Sequence, residues 1–541
     1  MSVVGAASGG CTIASGGARV IGTCVGPNTL HIPVAYRSIL PVLVLALGSL
    51  VLLALSAVLP KRSRPGLYAG LTVVTGGLAA LASAWEWMDI DHHGAAATIG
   101  QQVLYDHFGV GFLLLISVAT MLGALASDSY LRREGLDGVE AYVLMLLAGT
   151  GAMLMAESAG LIMVFLGMEI MSIALYVMAA YHRRRTESGE AGFKYFILGS
   201  FSSAIFLYGV ALVYGGTGST QFGEIGAFLA RNTLRNDGVL LGGMALLIVG
   251  MCFKVAAVPF HFWAPDVYQG SPTPFTGYMA AVAKAAGFAG LIRILMEALP
   301  TQEANWRPAI WLIAVATLLV GSVLAIVQRD LKRMFAYSSI SQAGYVLIGV
   351  QAGSARGTAG ALFYLFTYTF IIIGTFAVVA LIQGPGEARN DLGAVRGLAK
   401  RRPLLALALL VLLLAQAGVP LTSGFLAKFY VIEAAVQRGQ YPLAVIGMLA
   451  AAIAAFFYLR VALLMYSSPQ ADPELEAADG TSTAGLAPAG GGTVALVAPP
   501  TTRITIPAPV GFVLVVCVVF TIFAGVSSPV IDFAQRATLL F

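Results

Sequence analysis

Five ionisable residues stand inside or at the edge of strongly apolar runs: Glu169, Lys194, Lys254, Lys284 and Lys428. The chain has only seven lysines, and four of them sit in such runs; of its twenty-four arginines only Arg293 and Arg460 do. Arginine could fill any purely electrostatic or hydrogen-bonding role, but it keeps its proton, whereas lysine titrates readily once buried. The allocation therefore points to groups that bind and release protons. A lysine near a bilayer centre costs about 2.5–3.5 kcal/mol on insertion scales, so four without compensation would cost ~10 kcal/mol or more. Glu169, within Leu166-Gly-Met-Glu-Ile-Met-Ser172, is the matching acid. Alone it would protonate, while beside a lysine both groups stay ionised. The sequence predicts that it pairs with Lys194 or Lys254. A static salt bridge that fixes packing explains a single pair as well as a functional one does, but lysines spread over four separate blocks favour function. His261, next to Pro259 in the stretch Lys254–Asp266, offers an imidazole that titrates near neutrality beside backbone groups freed by the proline. A relay role and a simple helix-end hydrogen bond fit it equally.

Other polar residues carry less. Glu157 and Glu433 lie near block ends and read as solvated or snorkelling carboxylates. His92 and His93 follow Asp89 and Asp91 in what reads as a solvated loop, and His182 belongs to a basic cluster that sets topology. Ser338, Ser339 and Ser341 are expected to bond between helices, since no nucleophile elbow or Ser-His-Asp arrangement accompanies them. Cys11, Cys24, Cys252 and Cys517 form no CxxC and no metal-ligand spacing, so an iron–sulfur cluster, structural zinc and c-type haem are not expected.

The elements that would position these groups follow from composition. Of 541 residues 58% are hydrophobic and 11% charged, and the mean hydropathy is +0.85. So little charge cannot cover three or four soluble globules. The apolar residues gather in fourteen blocks of roughly membrane-spanning length: 38–59, 67–86, 108–127, 139–156, 158–181, 193–215, 238–262, 274–299, 308–327, 334–352, 358–383, 404–434, 442–466 and 509–535. The seventh and twelfth contain Pro259 and Pro420, each expected to break its helix. The net charge of +5 comes from short basic clusters between blocks, a topology signal rather than a nucleic-acid footprint. With odd-numbered helices running inwards, the inner connections hold seventeen Lys and Arg against eight outside, which places both termini outside the cell. Residues 1–35, rich in Gly, Ser and Ala, read as a weakly ordered extracytoplasmic extension, and 467–508 as a disordered cytoplasmic insert. Blocks four to eight (139–299) and nine to thirteen (300–466) each have their fourth member broken at a Val-Pro pair. Sets of five must alternate in orientation, so an inverted repeat is expected. Residues 36–138 supply the three helices before it and 509–541 the last.

The strings Gly167–Tyr176, Glu190–Phe196, Phe253–Pro274 and Pro420–Tyr430 resemble the subunit N family of the proton-pumping NADH:quinone oxidoreductase, respiratory complex I. The likeness runs from about 36 to 466 and resumes in the last helix. It is specific, because Pro265-Asp-Val-Tyr-Gln-Gly-Ser-Pro272 is N-like, while subunits L and M and the cation/proton antiporters usually differ there. The resemblance implies an all-α integral membrane protein of a bacterial inner membrane, with no cofactor in this chain. NADH, FMN, iron–sulfur clusters and quinone would belong to other parts of the complex, and the partners would be neighbouring membrane-arm subunits. It implies further that Glu169 and Lys254 form the input pair, Lys284 the central relay and Lys428 the output group, with Lys194 and His261 at further family positions. A stand-alone or multisubunit cation/proton antiporter, and a scaffold subunit that does not pump, are the alternative readings.

Overall fold

A computed structural model of the chain describes residues 35–59, 66–232, 237–468 and 504–538, together with the backbone of four short strands nearer the N-terminus. These strands are β1 (Val3–Gly5), β2 (Gly10–Ser15), β3 (Ala18–Cys24) and β4 (Leu30–His31), paired in antiparallel succession, where composition suggests a weakly ordered extension. Most of the expected insert, 469–503, lies outside the described residues.

The body is helical. Its first half comprises α1 (Leu40–Val58), α2 (Leu67–His93), α3 (His107–Arg133), α4 (Val139–Ala156), α5 (Leu161–Ala179) and α6 (Thr186–Thr217), with a hairpin of β5 (Ala96–Thr98) and β6 (Val103–Tyr105) between α2 and α3. It continues through α7 (Phe222–Arg231), α8 (Gly238–Lys254), α9 (Trp263–Gly270) and α10 (Thr273–Arg293). Next come α11 (Glu303–Ile326), α12 (Leu331–Gln351), α13 (Ala355–Ile382), α14 (Leu398–Arg401), α15 (Pro403–Ala417), α16 (Ser423–Gln437) and α17 (Tyr441–Tyr466). The chain ends in α18 (Ala508–Val526) and α19 (Pro529–Arg536). Among the described residues eleven helices are long and apolar enough to cross a membrane, and α8 and α15 are shorter apolar helices. This is a multi-pass membrane protein.

Local chemistry fixes the helix ends. The side chains of Asp106, Asp330 and Ser354 accept the backbone N–H of Gly109, Arg333 and Gly357 and so start α3, α12 and α13. The two proline-bearing blocks are both broken, but the gaps are wider than the prolines alone require. Helix α8 already ends at Lys254, five residues before Pro259, and the backbone of Ala256 turns left-handed (φ 57°). The second half, α9, runs to Gly270, past the expected block end at 262, because its Asp266 and Gln269 escape an apolar count. In the other block, α15 stops at Gly418 in the left-handed conformation (φ 89°), and α16 resumes at Ser423.

The core lies along α10, every residue of which is buried, and which packs against α3, α4, α8 and α13. Both of its ends are tied by charge. At the N-terminal end the Glu387 carboxylate accepts from the Thr273 backbone N–H (2.8 Å) and hydroxyl (2.7 Å), Tyr130 Oη (2.8 Å), Arg185 (2.5 Å) and Lys332 (2.9 Å). At the C-terminal end Arg293 donates twice to Asp106 (2.9 and 2.7 Å), to Glu297 (2.7 Å) and to the Ala156 carbonyl (2.6 Å). Lys284 sits between these anchors.

Candidate functional site

Three of the expected lysines are buried in one row. Lys254, Lys284 and Lys428 are 1%, 4% and 5% exposed, too dry for any of the three to be a snorkelling surface group. Lys254, the last residue of α8, donates to Ser172 Oγ on α5 and faces the rings of Tyr176 (5.5 Å) and Tyr195 (6.0 Å). Glu169, Ser172 and Tyr176 fall at i, i+3 and i+7, on one face of α5. The ammonium therefore rests one turn from the Glu169 carboxylate and within its electrostatic reach. No direct ion pair forms: among the described residues no cation lies within bonding distance of Glu169, and its buried Oε1 has no hydrogen-bond partner. The predicted pairing is thus corrected: Lys254 bonds Ser172, whose own hydroxyl donates to the Met168 carbonyl, and not the Glu169 carboxylate. The serine hydroxyl is the nearer acceptor, and it leaves the carboxylate free.

Lys194 is not in the row. It is 40% exposed, held between Glu190 (2.6 Å) and Asp266 (2.8 Å), with Arg333 on the far oxygen of Asp266 (2.6 Å). Lys194, Glu190 and Asp266 line an open cavity of about 330 Å³. Its expected partner Glu169 is replaced by Asp266 because α9 brings that acid onto α6. His261 is 6% exposed in the gap between α8 and α9, and its Nδ1 has no partner.

The row continues through α10. A Cβ at Gly287 would come within 2.8 Å of Val255 Cγ1 and 3.5 Å of Lys254 Cβ, so α8 ends pressed onto α10 at a place only glycine fits. Lys284 lies three residues earlier, one turn away on the same face. It donates to the Ser339 carbonyl of α12 and faces the Tyr368 ring at 5.1 Å. The hydroxyl of Ser339 bonds Tyr268 Oη (3.1 Å) and Tyr368 Oη (2.6 Å).

From the adjacent residue the chain of bonds goes on. Ser338 Oγ bonds Tyr458 Oη and donates to Gln416 Oε1 (3.4 Å). Gln342 donates to the Gln416 carbonyl (3.2 Å) and to Tyr458 Oη (3.0 Å), and Tyr364 donates to Gln342. Lys428, on α16, reaches back to the carbonyls of Gln416 (2.8 Å) and Ala417 (2.9 Å) and faces Tyr345 at 4.9 Å. Those carbonyls are the open C-terminal end of α15, the negative pole of a helix, where a cation is favoured. A tyrosine face beside each ammonium offsets part of its desolvation, by up to about 2 kcal/mol.

The break is tightly fitted. A Cβ on Gly424 would lie 1.9 Å from the Ala415 carbonyl oxygen, a clash with backbone. Gly424→Ala is expected to push α16 off α15, carry Lys428 away from its carbonyls, and lower both the yield of folded protein and its proton transport. Thermal stability of the purified variant, together with transport per molecule, checks this.

The comparisons with known proteins give the family. Residues 158–454 match the transmembrane family described as NADH:quinone oxidoreductase/Mrp antiporter. NADH-quinone oxidoreductase subunit N of Trichlorobacter lovleyi is 42% identical over 431 residues, covering 80% of this chain and 87% of that protein. The chain belongs to the subunit N family. The subunit N of Rhodospirillum rubrum is 41% identical, with 82% and 90% covered. A chain of respiratory complex I from Thermus thermophilus superposes with a TM-score of 0.71 at 31% identity, covering 90% of this chain and 96% of that one. A chain of the Mrp complex from Dietzia reaches 0.77 at 21% identity, over 93% and 97%, and so shares the fold.

Within this subunit N chain, several residues of the row escaped sequence reasoning. Tyr176 had a visible signal in its i+7 spacing from Glu169. Gln342 and Tyr345 likewise share one face of α12 with the expected Ser338, and Gln416 is the one polar residue of α15. Tyr195, Tyr368 and Tyr458 come from distant segments and gave none. The expected interhelical role of the serines holds, with Ser341 bonding Ser322 at 2.8 Å. Glu157 does not behave as a solvated group: it is 1% exposed and both its oxygens lack partners, as do those of Glu86. The β5–β6 hairpin bonds its backbone, Leu104 N–H donating to the Glu157 carbonyl (2.7 Å), and the start of α3 at Gly109 packs on its side chain. His92 and His93 belong to the last turn of α2 rather than a loop, with His93 on Asp89 at 3.0 Å. His182 is buried against Glu134 at 3.6 Å, a packed position rather than a solvated loop one.

Proposed function

We propose that this chain is a proton-translocating membrane-arm subunit of a bacterial NADH:quinone oxidoreductase, working through Glu169, Lys254, Lys284 and Lys428. The observation that carries the reading is the row of three buried lysines, Lys254 of α8 bonded to α5, Lys284 of α10 bonded to α12 and Lys428 of α16 bonded to the end of α15. Lys194 and His261 flank its entry, Lys194 in an open cavity. While Glu169 stands a turn away, the ammonium of Lys254 is favoured; a displacement that removes that attraction releases its proton towards Lys284 and then Lys428. Moving one charge against 100 mV costs about 2.3 kcal/mol, so the displacement must be driven, on this reading by quinone reduction elsewhere in the complex. NADH, FMN, iron–sulfur clusters and quinone are assigned to other subunits. The two broken helices also support two inverted five-helix repeats within fourteen crossings. The excess of basic residues on one side supports termini outside the inner membrane.

The test is copurification of a tagged chain with NADH:quinone reductase activity, followed by pumping in proteoliposomes. Lys254→Ala and Lys428→Ala are expected to lower the protons moved per NADH oxidised. A normal ratio in both variants overturns the relay. A complex of lower abundance with a normal ratio per molecule establishes the scaffold reading instead, and sodium-tolerance complementation without copurification establishes an antiporter.

A further inference from the structure

The ends of α3, α13 and α18 on the basic side of the molecule do not close on one another. Between them, and below the loop after α13, lies a cavity of about 550 Å³, a size that suits a ligand group. Its described lining holds three cations, Arg133, Arg389 and Arg401, and no carboxylate; apolar side chains such as Ala377, Leu381 and Val510 form the walls. Basic residues in inner connections are ordinary topology determinants. These differ because they converge on a concave space with apolar walls at the level where helices end.

The arginines are incompletely used. Arg133 gives Nε to Glu134 (2.9 Å) and one Nη to the Ala380 carbonyl (2.9 Å). Arg401 gives one Nη to the carbonyls of Ala394 (3.2 Å) and Arg396 (3.0 Å). The guanidinium of Arg389 donates to nothing among the described residues. Partial burial and the charge of Arg389 together push Arg401 below its ordinary value, as expected of two like charges brought together without an acid between them. The nearby Glu387 cannot serve, since its oxygens are taken by Lys332, Arg185, Tyr130 and Thr273. A phosphodiester supplies what is missing: a delocalised anion with oxygens matched to the guanidinium fork, attached to a chain that the apolar wall can cover.

We propose that this cavity binds an anionic phospholipid, with Arg389 and Arg401 on its phosphate and an acyl chain along the wall formed by α13 and α18. The bound lipid would neutralise the like-charge pair and fill the gap between the last helix and the core.

The tagged chain, purified with the subunits it brings, is reconstituted with photoactivatable phosphatidylglycerol or photoactivatable phosphatidylcholine, and cross-linked peptides are mapped by mass spectrometry. Labelling of α13 and α18 by the phosphatidylglycerol probe is expected, falling on the order of tenfold or more in Arg389→Ala/Arg401→Ala. Arg356→Ala, at an exposed arginine paired with Glu433 at 3.4 Å, should leave it unchanged. Yield and sedimentation of each variant verify folding. Equal labelling by phosphatidylcholine, or undiminished labelling in the folded double variant, overturns the proposal. Competition by inorganic phosphate, but not by unlabelled phosphatidylglycerol, also overturns it and assigns the arginines to a free anion.

Discussion

Lys284→Ala is expected to abolish proton transport through this chain, and Lys284→Arg to restore its assembly without restoring transport. Among the described residues Lys284 is the lysine between the Glu169–Lys254 end of the row and the Lys428 end, and its helix is buried along its whole length. Its hydrogen bond is to a backbone carbonyl, that of Ser339, so nothing in its contacts requires a titrating group; arginine could make them. Only proton transfer separates the two side chains, because a guanidinium keeps its proton. Without a group to accept it, a proton crossing the middle of the row meets a barrier raised by roughly the 2.5–3.5 kcal/mol of an unsupported charge at that depth. That slows passage on the order of a hundredfold. Proton uptake per NADH oxidised, measured on purified complex at matched abundance, is the readout. Normal pumping with arginine would make Lys284 a packing residue and end the relay at Lys254.

How far the sequence reaches depends on what kind of force holds each group. Lysines among leucines are conspicuous, because lipid penalises charge whatever the tertiary structure, and so Lys254, Lys284 and Lys428 were visible before any fold was known. The breaks at Pro259 and Pro420 were visible for the same local reason. The partners were not. Glu169 and Lys254 are the obvious opposite charges, yet the hydrogen bond goes to Ser172, a choice settled by the pitch of α5 against the end of α8. Lys194 looked like a member of the row from its apolar flanks, but α9, hidden by its own polar residues, supplies Asp266 and holds it in an open cavity. The tyrosines facing the ammonium groups belong to ordinary apolar runs and acquire their role only by packing. Glu387 is the clearest case. It lies in a short loop after Gly384, Pro385 and Gly386, where a carboxylate reads as solvated, yet its oxygens accept from Tyr130, Arg185, Thr273 and Lys332.

Glu387→Gln is expected to destabilise the protein by about 3–5 kcal/mol, the cost of stripping one partner from a buried ion pair. Neither Lys332 nor Glu387 exposes any side-chain surface, so the lysine would lose its anionic partner and be left with neutral acceptors such as the Ser271 carbonyl out of reach of bulk solvent. Burial alone would raise the Glu387 carboxyl, but Lys332, Arg185 and the Thr273 hydroxyl outweigh it and hold the group at about 2, against an ordinary 4.5. Because the folded form gives up its proton more readily than the unfolded one, this contribution is complete above about pH 4.5. It drains away as the pH falls towards 2. At about 1.4 kcal/mol per pH unit the displacement amounts to roughly 3 kcal/mol, in line with the substitution. The wild-type chain should therefore lose stability across that acid window more steeply than Glu387→Gln, which has nothing to protonate there. Lys332→Met combined with Glu387→Gln should be less destabilised than Glu387→Gln alone, since it removes the stranded charge. Thermal unfolding of the four forms of this cycle against pH measures both effects. Additive losses with no difference in acid slope would mean that the five-fold cluster on Glu387 is a packing contact, and that α10 is not anchored by charge at the end nearest Thr273.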